Sequence, residues 1–517
     1  MEAPSVSSKG LEGEHIHVLT IAYHPDFRRI GEETKFVQIG DLTAPTQISR
    51  ITPNFSRPEV RGQHPLLDGF VSRKPISLVQ RPDGHLQIYA DEGGHKHIVN
   101  NAPLTSPKVF TIEEQNRGIV ILIARRIVLL LRRRPLVVRR NPQLGLIGSS
   151  YQIDSVRTKI LRVADTNTSV LIRGATGTGK ELVAQAIHNQ SPRSKQEFVA
   201  VNMAAIPTTT AISQLFGHAK GSFSGADREH KGYFGQAQNG TLFLDEIGET
   251  SIETQAALLR VLETKMVQSV GADKDSPVDV RVISATDIDL DEAVKKGTLR
   301  EPLVHRLRAF EIEIPPLKDR PEDIGQLFLT FVREELENLG EWDVWQQKND
   351  FSEHWIEPRF ICKLLAYDFS GNIRELKNIA RRIVISSRGE SKLVTAEIDD
   401  MITPKSVSRS SLETLNLRAQ TPPESPSRPP SQIDTSILIS TLSKYEWRAK
   451  DAAKALGISR SSLYNLIEQT PEIPKAKDIS LAQISEAQSR FDDDLGKMAQ
   501  HFRVSKRALQ LRIKELK

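Results

Sequence analysis

Residues Val170–Glu181, VLIRGATGTGKE, constrain this chain more than any other stretch. An apolar run, Val170-Leu171-Ile172, leads into a loop with glycines at 174, 177 and 179. Lys180 closes the loop, and Glu181-Leu182-Val183-Ala184 opens a helical pattern. Strand, glycine loop and helix N-terminus in that order make a phosphate cradle. The glycines let backbone N–H groups face the ligand without Cβ clashes, and the lysine adds a point charge. The spacing G-x-x-x-x-G-K predicts nucleotide binding by Gly174, Ala175, Thr176, Gly177, Thr178, Gly179, Lys180 and Glu181. Glu181 stands where a serine or threonine usually holds Mg²⁺. Downstream, Gly240-Thr241-Leu242-Phe243-Leu244-Asp245-Glu246 is an apolar strand ending in two carboxylates. Beside a phosphate loop, Asp245 is expected to hold Mg²⁺ and Glu246 to orient and polarise the attacking water. The rival reading of such a pair is a helix N-cap.

At 517 residues the chain predicts about three to four domains. A formal net charge of +5 is compatible with nucleic-acid contact without requiring it. Cys362 is the only cysteine, which excludes an intrachain disulfide and fits a reducing cytoplasm. The N-terminus has no basic-then-apolar signal pattern. The most apolar run, Ile119–Leu131, is too short for a membrane span of about 20 residues and carries Arg125 and Arg126 at its middle. One or two buried strands are expected there, and no membrane partner.

In chain order, residues 1–13 read as a disordered tail and 14–135 as a β-sandwich of short alternating strands separated by turns such as Asp83-Gly84 and Gly93-Gly94. Arg132-Arg133-Arg134-Pro135 and Arg139-Arg140-Asn141-Pro142 mark a basic linker, residues 136–145, read as a solvated charge run. From 146 to 404 strands alternate with helical patterns, as an α/β domain requires. Strands are predicted at Val170–Ile172, Phe198–Val201, Thr241–Leu244 and Val278–Ser284. Residues 405–432, rich in Ser, Pro and Thr, form an extended linker. Residues 433–517 read as all-helical. Ala453, Gly457 and Leu463 have the spacing a helix-turn-helix needs. Ser459 would cap its second helix, with Arg460, Ser461, Ser462 and Asn465 toward DNA. Ala499 and Leu509 repeat those offsets, which makes Lys506, Arg507 and Gln510 candidates in a second reader; a dimerisation hairpin is the rival for that stretch.

The sandwich region resembles a forkhead-associated domain at Arg29-Ile30-Gly31-Glu32, Ser72-Arg73 and Asn100-Asn101. It departs where Glu32 replaces an arginine and Lys74-Pro75 a histidine. Phosphopeptide binding and a plain protein-interaction sandwich both stay open for it.

The central region resembles the AAA+ domain of bacterial sigma-54 activators, or enhancer-binding proteins. The motifs that carry the resemblance are GATGTGKELVAQAIH, FVAVNMAAIP, LFGHAKGSFSGA, GTLFLDEI, DVRVISATD, REPLVHRL and SGNIRELKN. The resemblance implies a P-loop ATPase with a helical lid, ATP and Mg²⁺ as cofactors, and a self-assembled ring, a hexamer in the family. It implies that Asn202 couples Glu246 to nucleotide state, that Thr286 and Asp287 form the first sensor and Arg374 the second, and that Arg300 and Arg306 are fingers supplied to the neighbouring subunit. Gly221-Ser222-Phe223-Ser224-Gly225-Ala226 matches the loop that touches sigma-54 in the RNA polymerase, with Ser222 for alanine and Ser224 for threonine. The C-terminal helices resemble the Fis-type reader that holds such proteins at upstream enhancer DNA. The whole chain therefore reads as an ATP-driven activator that remodels the sigma-54 polymerase closed complex. A DNA-bound regulator that no longer engages sigma-54, and a binding-only repressor with a vestigial ATPase, are the rivals.

Overall fold

The computed structural model describes residues 15–57, 62–90, 97–136, 141–222, 228–348, 351, 353–390, 392–399, 401–402, 435–444, 456, 470, 479–491, 495, 498, 501–502, 509 and 512–513. The chain divides into two compact units, Met1–Ser406 and Val407–Lys517.

The first part of unit one is built from β1 (His15–Tyr23), β2 (Glu33–Phe36), β3 (Thr46–Ile48), β4 (Ile76–Gln80), β5 (Leu86–Ala90), β6 (Ile98–Val99), β7 (Ala102–Pro103), β8 (Lys108–Phe110), helix α1 (Ile112–Arg117), β9 (Ile119–Ile123) and β10 (Ile127–Pro135). One sheet runs β2-β1-β10-β9-β6-β7, the other β3-β4-β5-β8. Leu19, Ile21, Ile121 and Leu129 from the first meet Ile76, Leu78, Leu86 and Ile88 from the second in a buried core, which makes the expected sandwich. The run 119–131 is two strands. Ala124 and Arg125, both left-handed (φ 51° and 53°), turn the chain between them.

The basic run after it is corrected by the structure. Arg132 and Arg134 are part of β10, not of a solvated linker. They are 8% and 4% exposed, and pair with Glu322 at 2.7 Å and Glu33 at 3.0 Å. The apolar strand simply continues, and carboxylates from β2 and from the turn Pro321–Asp323 neutralise the arginines that it buries. The linker's second half is also docked: the Asn141 side chain donates to Asp154 and to Thr158.

The α/β part follows with α2 (Tyr151–Ala164), β11 (Val170–Arg173), α3 (Lys180–Asn189), β12 (Phe198–Asn202), α4 (Thr208–Phe216), α5 (Gly232–Gln236), β13 (Thr241–Asp245), α6 (Ile252–Thr264), a ribbon of β14 (Met266–Val267) and β15 (Ser276–Pro277), β16 (Arg281–Thr286), α7 (Leu290–Lys295), α8 (Glu301–Leu307) and β17 (Phe310–Glu313). The sheet is parallel in the order β12-β13-β16-β11-β17, so the glycine loop leaves a central strand. Two expectations shift here. β16 begins at Arg281 rather than Val278, because the Val278 N–H is taken by the Lys265 carbonyl beside the ribbon. The edge strand β17 was not anticipated.

Helices α9 (Ile324–Asn338), α10 (Trp342–Lys348), α11 (Pro358–Leu365), α12 (Asn372–Ser386) and α13 (Ala396–Asp399) form the lid. Its core is continuous with the sandwich: Tyr23, Phe27, Leu122 and Val128 pack in one cluster with Phe328, Phe331, Trp345, Trp355 and Phe360.

In unit two, α14 (Thr435–Lys444) buries Leu438 and Leu442. A helix at Leu481–Phe491 packs Ile484 and Ala487 with Met498 and Leu509. Ser459, Arg460, Ser461, Ser462, Asn465, Lys506, Arg507 and Gln510 lie outside the described residues, as do the tail 1–13 and the linker 405–432.

Candidate nucleotide site

The loop after β11 closes onto α3 through Gly179, whose φ of 99° no side chain adopts easily. Gly177 is also left-handed, and a Cβ there would collide with the Gly371 carbonyl of the lid. That is why glycine is needed at both positions. Lys180 is 6% exposed; its Nζ donates to the Gly174 carbonyl at 3.2 Å and lies 3.3 Å from Glu246. The loop is thus held in shape by its own lysine, which a phosphate could take over. Thr178 Oγ1 donates to the Ala175 carbonyl at 2.7 Å. Glu181, in the first turn of α3, lines the cavity.

Asp245 ends β13, and its carboxylate accepts from the Glu246 N–H at 3.0 Å. Glu246 has a left-handed backbone, φ 53°, which costs a non-glycine residue about 1–2 kcal/mol. Such strain is common where a side chain must be aimed at chemistry. Burial raises the Glu246 pKa, the nearby Lys180 opposes that, and the charges of Asp287 and Asp245 reinforce it. Asp287 is held the other way, downward, chiefly by the Thr176 hydroxyl that donates to it at 2.6 Å. Thr286 is buried at the end of β16, where its carbonyl accepts from the Gly174 N–H. Asn202 lies in register beside Asp245, and its side chain accepts from the Ala204 N–H.

The lid completes the site. A cavity of about 580 Å³ is lined by the loop, Asp245, Glu246 and Arg374 and by the apolar side chains of Leu146, Ile147, Ile314, Leu327, Phe331 and Ile373. The loop can take phosphates and the apolar side chains a flat base. The Asn372 side chain donates to the Thr176 carbonyl at 3.0 Å, and the Ile373 N–H to the Gly177 carbonyl at 2.9 Å. Asp323, fully buried, accepts from the Ser149 and Ser150 N–H groups and the Ser150 hydroxyl at 2.7–2.8 Å, which fixes the segment carrying Ile147. Arg320, 1% exposed, points at the Thr178 carbonyl at 3.4 Å. Arg320 and Asp323 were missed in the sequence, where polar residues flanking apolar ones do not distinguish a clamp from a surface; Asn372 lies inside the SGNIRELKN motif but was given no role.

Arg300 and Arg306 are not brought to this cavity. Arg300 caps α8, its N–H bonded to Gln255; the Arg306 guanidinium reaches the Leu262 carbonyl at 3.4 Å, and both are exposed. Gly221 and Ser222 stand at the end of a stem framed by bridges from His218 to His230 and Val270. Phe223, Ser224, Gly225 and Ala226 lie outside the described residues.

In the sandwich, the residues of the phosphopeptide pattern are separately engaged. Arg29 binds Glu32 and the carbonyls of His64, Pro65 and Leu66. The Ser72 hydroxyl accepts from the Lys74 N–H and the Asn100 side chain from the Val120 N–H.

Comparison with known proteins places these features. The Sigma-54 interaction domain matches residues 146–313, the AAA+ ATPase lid domain 318–414, and the Fis family of bacterial regulatory proteins 429–469. The acetoin dehydrogenase operon transcriptional activator AcoR of Bacillus subtilis is 38% identical over 334 residues, 63% of this chain and 50% of AcoR. The anaerobic nitric oxide reductase transcription regulator NorR of Aliivibrio fischeri is 44% identical over 246 residues, 48% of this chain and 46% of NorR. The chain thus spans about half the length of these two relatives. The DNA-binding transcriptional regulator NtrC of Salmonella typhimurium is 34% identical over 433 residues, 80% of this chain and 85% of NtrC. With the loop, the paired carboxylates, the lid and the Fis-type segment in that order, the chain belongs to the family of sigma-54-dependent transcription activators.

Proposed function

We propose that this protein hydrolyses ATP to remodel the sigma-54 RNA polymerase closed complex from an upstream DNA site. The observation that carries the reading is the cavity in which Lys180, Asp245 and Glu246 converge beside apolar side chains of the lid. Lys180 and the loop N–H groups bind the phosphates. Asp245 would hold Mg²⁺, since it ends the strand beside the phosphate loop and lines the cavity. Glu246, raised in pKa by burial, orients and polarises the water. Asn202 and the Thr286-Asp287 pair report the γ-phosphate, and Arg374 reports the lid position.

Arg300 and Arg306, exposed and distant from their own cavity, serve the neighbouring subunit's site, so the working form is a ring, a hexamer by likeness to the family. Gly221–Ala226 contacts sigma-54. Ser459, Arg460, Ser461, Ser462 and Asn465 contact enhancer DNA, and Lys506, Arg507 and Gln510 extend that contact. The sandwich is an interaction module, and the protein works in the bacterial cytoplasm. In vitro transcription from a sigma-54 promoter tests the reading: ATP-dependent open complexes are expected. ATP turnover without open complexes would refute the coupling, and no turnover would refute the motor.

A further inference from the structure

We propose that Arg320 is a positioning residue for the phosphate loop, and that the sandwich governs it through the ion pair of Arg132 with Glu322. The role rests on the nucleotide reading given above: the loop that Arg320 steadies is the one that cradles phosphates.

Arg320 is poorly placed for a residue whose task is stability. It is 1% exposed. Its Nη2 donates to the Thr178 carbonyl at 3.4 Å, and its Nη1 lies 3.9 Å from the Asp323 carboxylate. Its Nε has no hydrogen-bond partner among the described residues. A guanidinium carries five N–H donors, so this cation is buried with much of its capacity unused. Burial lowers its pKa, and Asp323 opposes the fall. Asp323 does not depend on Arg320, because the Ser149 N–H, the Ser150 N–H and the Ser150 hydroxyl already donate to it. A buried charge paired this loosely costs more in desolvation than it returns in attraction.

What Arg320 touches is the loop. The Thr178 carbonyl and the Gly179 N–H belong to one planar trans peptide and point in opposite directions. Holding the carbonyl therefore aims the N–H, one of the donors of the phosphate cradle. Glycines at 177 and 179, both left-handed, leave that peptide free to rotate. The Thr178 hydroxyl does not hold it, being engaged with the Ala175 carbonyl at 2.7 Å. Arg320 supplies the restraint.

The sandwich grips the same turn. Arg320 immediately precedes the turn Pro321–Asp323, which the Asp323 N–H closes on the Arg320 carbonyl at 3.1 Å. Glu322 lies inside that turn and accepts from Arg132 of β10 at 2.7 Å, with both side chains buried. Arg132 is itself fixed, its Nε donating to the Asn116 carbonyl at 2.6 Å. Arg134, two residues on, reaches the Ser149 carbonyl at 3.3 Å, in the segment that Asp323 holds. A displacement of β10 thus moves Glu322, and the closed turn carries Arg320 with it relative to Thr178.

Calorimetry with ADP, urea melts and amide exchange on the full-length protein test both parts. Arg320→Met removes the charge and keeps the bulk. It should weaken ADP binding about tenfold while the urea midpoint stays or rises, since an apolar side chain replaces a loosely paired ion. Arg320→Lys keeps a cation within reach of the carbonyl and should return affinity to within about threefold of the wild type. Unchanged ADP affinity in Arg320→Met, affinity lost only in step with stability, or no recovery by lysine overturns the positioning role. Replacing the ion pair, Arg132→Met with Glu322→Met, should change ADP affinity about threefold, and less than about 1.5-fold when Arg320→Met is already present. One readout needs no variant to fold. By reciprocity, ADP should slow amide exchange at Arg132, Arg133 and Arg134 of the wild type about twofold or more. None of the three lines the nucleotide cavity. Equal effects of the pair replacement in both backgrounds, or exchange in β10 indifferent to ADP, overturns control by the sandwich. A wild type that binds no ADP refutes the nucleotide reading and this role with it; ADP binding indifferent to Arg320 refutes this role alone.

Discussion

The lid has two seams, and they are built differently. Against the sandwich it is apolar: Tyr23 and Phe27 sit among Phe328, Trp345 and Trp355, sealed by the Tyr23 hydroxyl on the Ile356 carbonyl and the Trp355 Nε1–H on the His24 carbonyl. Against the motor it is joined by hydrogen bonds beside an open cavity: Asn372 and Ile373 donate to the phosphate loop, and Asp323 accepts from the Ser149 and Ser150 N–H groups. Opening the first exposes buried rings to water; opening the second exchanges hydrogen bonds with water at small net cost. The motion that accompanies nucleotide exchange therefore belongs at the second seam, with sandwich and lid travelling together. A sandwich that senses a signal need not reach the motor across a tether, because it is already part of the lid.

The largest effects should fall on the motor side of that divide. Lys180→Ala removes the loop's cation and should abolish ATP binding, measured by calorimetry, while the sandwich–lid body melts as in the wild type. Glu246→Gln should keep ATP affinity and lower turnover by about 10²–10⁴-fold. Comparable ATP affinity in wild type and Lys180→Ala would remove the loop from the argument.

The proposed seam between subunits has its own test. Arg300→Ala or Arg306→Ala should bind ATP normally and hydrolyse it about 10³-fold more slowly, as loss of an arginine finger does. Mixing either with Lys180→Ala protein should restore some turnover at mixed interfaces. If mixed rings form and no ratio restores activity, the fingers do not act in trans.

Next in size is the apolar seam itself. Phe328, fully buried, joins the sandwich cluster to the lid helices. Phe328→Ala should destabilise that body by about 3–5 kcal/mol in urea unfolding. Sandwich and lid signals should shift together, since one buried cluster spans the face between them, beside the sandwich's own core. Separate transitions, with only the lid displaced, would break the claim that the two are one body.

What the sequence made legible follows the same divide. The phosphate loop, Asp245-Glu246 and the alternating strands are local patterns, in which spacing alone specifies geometry. The apolar seam is non-local: Tyr23 and Trp355 are far apart in sequence, and nothing near either residue names its partner. Arg132 and Arg134 were misread for that reason. An arginine run is soluble by default, and its burial depends on Glu33 and Glu322, which only the fold supplies. Arg320 and Asp323 escaped notice likewise, because a buried clamp and a surface pair look alike in one dimension.

The smallest expected effect is a difference in acid sensitivity between the two seams. His24 and His354 both lie on the sandwich–lid side, and burial lowers the pKa of each, His24 to about 4. Around His24, Arg29 pushes further down while Asp68 and Asp26 pull up. A histidine whose folded pKa lies below its unfolded value near 6.5 binds protons more readily when unfolded. Stability is then full above about pH 6.5, declines as the pH falls through it, and levels off near the folded value. The sandwich–lid transition should therefore lose stability between pH 7 and pH 5, and His24→Phe should flatten part of that loss. The nucleotide cavity should respond differently over the same range. Glu246 is raised and Asp287 lowered there, and the two side chains interact directly, so their contributions oppose. Urea melts at pH 5 and pH 7, followed by tryptophan emission, measure the first seam directly, since Trp342, Trp345 and Trp355 all sit in it or at its edge. A melt that does not change between the two pH values would mean that the buried histidines are not held neutral, and that the apolar seam is wetter than its packing indicates.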